Sequence, residues 1–361
     1  MSDLNPSTER FPHREARKII EDLLVPSPWI YWVDFTTSVV VGWGAFMLAV
    51  AQPDLSAGQA VAILVSALAL YRAVIFTHEL AHLRRKELPH FRLVWNLTCG
   101  IPLMAPSFTY RGVHDDHHKG SVYGRRRDGE YVPFGAQPRY RILGYLLLPF
   151  VLPLLFAARF IVLAPLSLLH PRLRELLWTR ASSLAIDLSY RRPEVSVRDD
   201  PSWRIQELGA FVFGASAVAL IVAGILPREA LVLWYVVGVV IFFLNSLRTL
   251  AAHRYLNTDD EPMTATAQYL DSVNVPGSRF VTGLWAPVGL RYHATHHLCP
   301  GIPYHHLGAA HRRLASRLSD SSLYLAASRR SLWDALSRLF EDARIAEARS
   351  AGRYPGGAAS F

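Results

Sequence analysis

Four stretches of this chain, 29–51, 58–77, 208–226 and 230–247, are nearly free of charge and long enough to cross a bilayer. A helix rises 1.5 Å per residue, so about 20 residues span the hydrocarbon core, and in lipid a single segment must satisfy its own backbone as a helix. These runs are far more apolar than the 51% of the chain as a whole, and they point to membrane spans rather than to two globular cores. Short turns at 52–57 and at Pro227-Arg-Glu229 join the spans into two hairpins. Asp34 is the charged exception in the first run.

Two further apolar stretches do not read as simple spans. Residues 93–108 are interrupted by Gly100, Pro102 and Pro106 and are too short to cross, so they are expected to be re-entrant or interfacial. Residues 142–169 are long enough, but Pro149, Pro153, Pro165 and Arg159 break them. A single crossing there would place the arginine-rich segment 170–204 outside, against the positive-inside rule; a pair of interfacial or re-entrant helices returns the chain to the same side. The expected fold is an all-α integral membrane protein. Four transmembrane helices form two hairpins, with both termini and a histidine-rich helical cap in the cytoplasm. The expected organisation is an N-terminal cytoplasmic segment (1–28), a membrane domain carrying the histidine groups (29–311) and a C-terminal cytoplasmic amphipathic helix with a tail (312–361).

Residues 1–28 are polar and basic, suited to disorder or to the membrane surface, and they lack the apolar core of a signal peptide. The first span is therefore expected to act as the membrane signal. Near the other end, 331–346 brings Leu332, Trp333, Leu336, Leu339 and Phe340 to one helical face, which suits an interfacial helix or one packed on the cap. Residues 352–361 read as a frayed tail. The net charge of +9 comes without a nucleic-acid recognition motif and is expected to face anionic lipid, not nucleic acid. Two cysteines, Cys99 and Cys299, make no disulfide framework.

Nine of the fifteen histidines gather at four places beside the apolar runs: His78 and His82; His114, His117 and His118; His253; and His293, His296 and His297. Residues three or four apart share a helical face, so each HxxxH or HxxHH group can aim several imidazoles at one point. Imidazole is the commonest metal ligand, and nine exceed what one tetrahedral zinc takes; they suit two metals. Glu79, Asp115 and Asp116 are the nearest carboxylates able to fix imidazole tautomers, with Asp128 and Glu130 further candidates against a reading as solvated loop charge. His305, His306 and His311 trail the last group and are expected to lie outside the ligand set.

At these residues the chain resembles the membrane fatty acid desaturase family, which carries HxxxH, HxxHH and HxxHH boxes in this order. The run His296-His-Leu-Cys-Pro-Gly-Ile-Pro-Tyr304 is similar to the continuation of the family's third box, and the resemblance covers roughly residues 30 to 310. His253 resembles the family's lone histidine between boxes two and three. Some acyl-CoA desaturases of the family place an asparagine one turn before that histidine; here the position is Thr249, with Asn245 and Asn257 nearby. The resemblance implies a non-haem diiron site, two iron ions, that activates O2 and abstracts hydrogen from an acyl chain carried by a lipid or a thioester. Trp95, Phe108, Trp285 and Tyr292 are candidates to line a substrate tunnel or simply to pack the core. The favoured outcome is desaturation; a membrane hydroxylase or carotenoid ketolase with similar boxes is the alternative.

Electrons are expected from outside, because the sequence shows no iron–sulfur cysteine cluster, no GxGxxG and no HPGG. The basic loops suit an acidic donor such as ferredoxin, rubredoxin or cytochrome b5. His78-Glu79-Leu-Ala-His82 also satisfies the HExxH pattern of zinc proteases, a remote alternative that leaves the other seven histidines unused.

Overall fold

The computed structural model describes residues 11–83, 86–193 and 201–352, which are helical with isolated bridges and no named strand among them. Among the described residues, four helices are long and apolar enough to cross a membrane: Pro28–Ala51, Ala57–His82, Ser202–Val222 and Glu229–Leu250. Protein buries only 22% to 50% of their most apolar windows, so their remaining faces need lipid. The second span runs on through His82, and box one forms its last turns rather than following its end. The third begins at Ser202, earlier than its apolar run, and stops at Val222.

Contacts divide the chain into two compact units. One, the span unit, comprises Ser27–Asp115 and Leu147–Ser246; the other comprises Met1–Pro26, Asp116–Leu146 and Leu247–Phe361. In the span unit, Ser56 caps the second span by accepting from the Gln59 amide at 3.1 Å. Gly42 lets the first two spans approach, since a Cβ there would lie 2.7 Å from the Leu70 side chain. Asp34 explains itself here: Arg72 of the second span donates Nε–H to its Oδ1 at 2.6 Å. Nearer the box, the Tyr31 hydroxyl donates to Glu79.

The segment after box one packs back on this hairpin. Trp95 donates its indole N–H to the Ala73 carbonyl (2.9 Å), and Trp43 donates to Thr98 (2.8 Å). Asn96 closes the following turn by accepting from the Ser107 amide at 2.8 Å, while Gln206 of the third span accepts from the Phe108 amide at 3.1 Å. Phe108 joins a core with Phe160, Trp178 and Trp203. Trp95 and Phe108 are thus packed side chains.

The proline-broken stretch is a bent pair, Tyr140–Phe150 and Leu152–Ser167, at 55°. Arg159 within it is buried because Glu207 of the third span accepts from its Nη2 at 2.7 Å, with the Ala181 carbonyl and Ser182 hydroxyl taking further donors. Arg174 reaches the other oxygen of Glu207.

In the second unit, the described part of the N-terminal segment is folded rather than loose. Helix His13–Ile19 packs on helix Tyr304–Arg317, burying Phe11, Ala16 and Ile20. Residues 1–10 of that segment lie outside the described residues. The C-terminal helix, Leu332–Ser350, is capped by the Ser331 hydroxyl and buries Ala335, Leu339 and Ala343. Packing on the unit is thus the observed role of that face, and Trp333, expected on the same stripe, is exposed. The expected tail lies, from residue 353, outside the described residues.

Candidate metal centre

Box one occupies the last turns of the second span, where the i, i+4 spacing sets the His78 and His82 rings 5.1 Å apart. His114, on the short helix Val113–His117, meets both: its ring lies 4.5 Å from that of His78, and its Nε2 is 2.9 Å from His82 Nε2. Its Nδ1 pairs with the Tyr110 hydroxyl at 2.9 Å. The span unit therefore holds three imidazoles whose ligand atoms lie within 4.8 Å of one another.

The second unit gathers the other six. His117, His253, His293 and His297 also bring one ring nitrogen each within a mutual 4.8 Å. His293 and His297 are one turn apart on helix His293–Leu298, with Nε2 atoms separated by 3.1 Å; His253 Nε2 is 2.9 Å from His293 Nε2. His118 and His296 face each other through Nε2 at 3.1 Å.

The outer nitrogens show what the inner ones can do. His117 Nδ1 lies 2.8 and 3.0 Å from the two oxygens of Asp128, and donates to them. That carboxylate is itself fixed by the Gly124 and Glu130 amides, each donating at 2.9 Å. His253 Nδ1 donates to the Tyr123 hydroxyl at 2.8 Å, and Tyr123 donates in turn to Asp271 at 2.9 Å. Tyr131 adds a second phenol donor to Asp271 at 3.2 Å. With their protons held at Nδ1, His117 and His253 turn Nε2 lone pairs toward the same point. Two such nitrogens can share a proton, but four that converge within 4.8 Å also form a donor set that fits a metal ion.

The electrostatics agree. Burial alone would lower the His117 pKa, but the Asp128 carboxylate, joined by the charges of Glu130 and Asp271, outweighs it and the net shift is upward, making the ring a stronger donor. Burial, with the neighbouring His117 and Arg248 charges, pushes His253 well below its ordinary value and keeps it in the neutral form that ligates. Burial also raises the Tyr123 phenol, so it remains a hydrogen-bond donor.

Backbone elements hold these groups in place. His253 leaves the fourth span through a short bridge to Ser272, with Arg254 donating to the Asp271 carbonyl at 2.7 Å. Tyr255, buried 5.2 Å ring to ring from His253, sits at φ 56°, a left-handed conformation uncommon for a bulky residue. Its carbonyl accepts from the Gly135 amide (3.1 Å), and a Cβ at Gly135 would strike the Arg254 carbonyl. Asn274 anchors box three, accepting from the Thr295 amide at 3.0 Å and the Thr295 hydroxyl at 3.2 Å.

Of the carboxylates picked out in the sequence, Asp128 touches a box histidine most directly. Glu79 lies 3.6 Å from His78 Nδ1 and accepts from Tyr31. Asp115 is exposed and Asp116 pairs with Lys119 at 2.6 Å. His306 donates to the Leu23 carbonyl, and His311 pairs with Tyr324, both at 2.9 Å. Thr249 accepts from Arg248, and Asn257 donates to the Gly124 carbonyl. Tyr123, Asp271 and Asn274 escaped sequence reasoning, because each comes from a turn or short helix with no spacing that ties it to a box.

A family model described as fatty acid desaturase matches residues 55–328. A ceramide hydroxylase of Caulobacter vibrioides (strain NA1000 / CB15N) is 42% identical over 339 residues, covering 93% of this chain and 96% of that protein. No solved structure matches the chain.

Proposed function

The chain belongs to the fatty acid desaturase family, and from that premise we propose that it is a membrane diiron hydroxylase acting on ceramide or a closely related N-acyl lipid. The observation that carries this reading is the 42% identity to a ceramide hydroxylase along nearly the whole of both chains. The net reaction would be R–H + O2 + 2 electrons + 2 protons → R–OH + H2O. Desaturation, which the continuation of box three favours, is the second reading; it shares the first hydrogen abstraction and ends by removing a second hydrogen instead.

In this proposal the nine histidines hold two iron ions, one of them through His117, His253, His293 and His297. The bound iron would supply O2 activation. Asp128 and Tyr123 would keep His117 and His253 in the ligating tautomer, and the buried surroundings would keep bulk water from the oxidant. Electrons would come from an external acidic carrier, and the basic loops would place the boxes and both termini in the cytoplasm. A zinc protease built on His78-Glu79-Leu-Ala-His82 is disfavoured by the family membership and by the six histidines collected in the second unit.

The test is lipid mass spectrometry of cells expressing wild type or His297→Ala, with ceramide supplied. Ceramide species that gain one oxygen only with the wild type are expected. Species that lose two hydrogens instead would replace hydroxylation by desaturation, and unchanged ceramides alongside a modified glycerolipid would remove the sphingolipid assignment.

A further inference from the structure

Helix Arg279–Trp285 presents its apolar side to the outside. Thr282 and Trp285 face inward, while Phe280, Val281 and Leu284 are 84%, 65% and 54% exposed. A fourth apolar side chain, Trp333, stands 79% exposed on the first turn of the C-terminal helix. The two helices share one core: Trp285 and Ala286 pack with Ala335 and Leu332. Single exposed apolar residues are ordinary on a protein surface, but a group of this size carried on adjoining helices marks a contact surface.

Two observations say what covers it. The same small core contains Ala251, the residue that directly follows the fourth span, Glu229–Leu250. The patch is therefore one buried layer away from the end of a helix suited to cross the bilayer. Arginines also gather at the helix start: Arg279 and Arg330 are exposed, Gly277 lies against the Arg330 carbonyl, and Arg291 donates to the Ser278 carbonyl at 3.4 Å. Exposed Phe and Trp on elements that also carry exposed guanidinium groups match acyl chains and anionic headgroups. A second copy of the same patch would bring like charges together, which disfavours self-association.

We propose that helix Arg279–Trp285 and Trp333 form a membrane-inserted anchor, separate from the four spans, in which Phe280, Val281, Leu284 and Trp333 enter the headgroup–acyl boundary and Arg279, Arg291 and Arg330 meet anionic headgroups. The proposal does not depend on which reaction the metal centre performs. It holds the segment leading into box three, which begins at His293, at the lipid surface from which an acyl substrate would come.

The full chain, in a Cys299→Ser background, is labelled with a polarity-sensitive fluorophore at Phe280→Cys, Leu284→Cys or Trp333→Cys and reconstituted into phosphatidylcholine vesicles with or without phosphatidylglycerol. Exposed Ser316→Cys is the control. The three patch positions are expected to shift to the blue and to be quenched several-fold more by lipids spin-labelled high on the acyl chain than by aqueous iodide, with the reverse at position 316. The lipid quenching is expected to deepen with phosphatidylglycerol, and to lose that gain in Arg279→Gln/Arg330→Gln. Iodide reaching the patch as freely as position 316 overturns the anchor, as does probe self-quenching between copies without lipid quenching. Quenching indifferent to phosphatidylglycerol overturns the headgroup contacts.

Discussion

A neutral imidazole has one proton and two nitrogens, so the nitrogen that meets a metal is decided by whatever holds the other. At His117 that partner is Asp128, wholly buried and held by two backbone amides. Asp128→Ala is expected to weaken iron binding about 10- to 100-fold, the usual cost of losing a carboxylate behind a ligating histidine. The measurement is iron retained by the purified full chain against a graded chelator. Asp116→Ala, which removes only an exposed pair with Lys119, should retain iron like the wild type; equal losses in the two variants would show that Asp128 acts through general folding. The histidines themselves were legible because i, i+3 and i+4 spacing survives in any short helix. Their partners were less so. Asp128 lies eleven positions past His117 in a turn, with nothing periodic to separate it from Asp115 and Asp116, and Tyr123, Asp271 and Asn274 carry no mark at all.

At the scale of elements, length and charge located all four spans, with ends displaced by up to six residues at the third, because the bilayer imposes a requirement that the sequence must meet locally. Interior partners were harder to foresee. Arg159 reads as an interruption until Glu207, from a different span, is seen to accept its proton donors. The C-terminal helix shows the same limit: attention to Leu, Trp and Phe picked out Leu339 but missed Ala335 and Ala343, which form with it the stripe, spaced by four, that is buried. The Arg159–Glu207 pair yields a quantitative expectation. Removing one member leaves its partner buried without a counter-charge, so Glu207→Leu should cost about 3–5 kcal/mol, whereas Arg159→Met/Glu207→Leu together should recover most of that loss. Thermal unfolding of the detergent-solubilised chain distinguishes these cases. A double variant as unstable as Glu207→Leu would mean that Arg174, the other guanidinium on Glu207, carries the penalty.

For the whole molecule the important fact is that one donor set joins distant parts of the chain. In the second unit, His117 belongs to the segment Asp116–Leu146, whereas His253, His293 and His297 belong to Leu247–Phe361. With a cation bound, these converging nitrogens would become cross-links that only the folded chain can offer. Binding to the folded state alone stabilises by RT ln(1 + [L]/Kd), about 2.7 kcal/mol when free metal is 100-fold above Kd. With an unfolding entropy of about 2.1 cal/mol/K per residue, a chain of 361 residues shifts by about 1.3 °C per kcal/mol, so iron loading should raise the unfolding midpoint by roughly 3–4 °C over the chelator-treated chain. Mg2+, which prefers oxygen ligands, should not substitute. His117→Ala should start from a lower midpoint in the loaded state and gain less from iron, since its share of the cross-link is gone. If the midpoint ignores iron while iron analysis shows the sites filled, then these histidines bind the metal without coupling it to the fold. The convergence of their nitrogens would then need a different explanation.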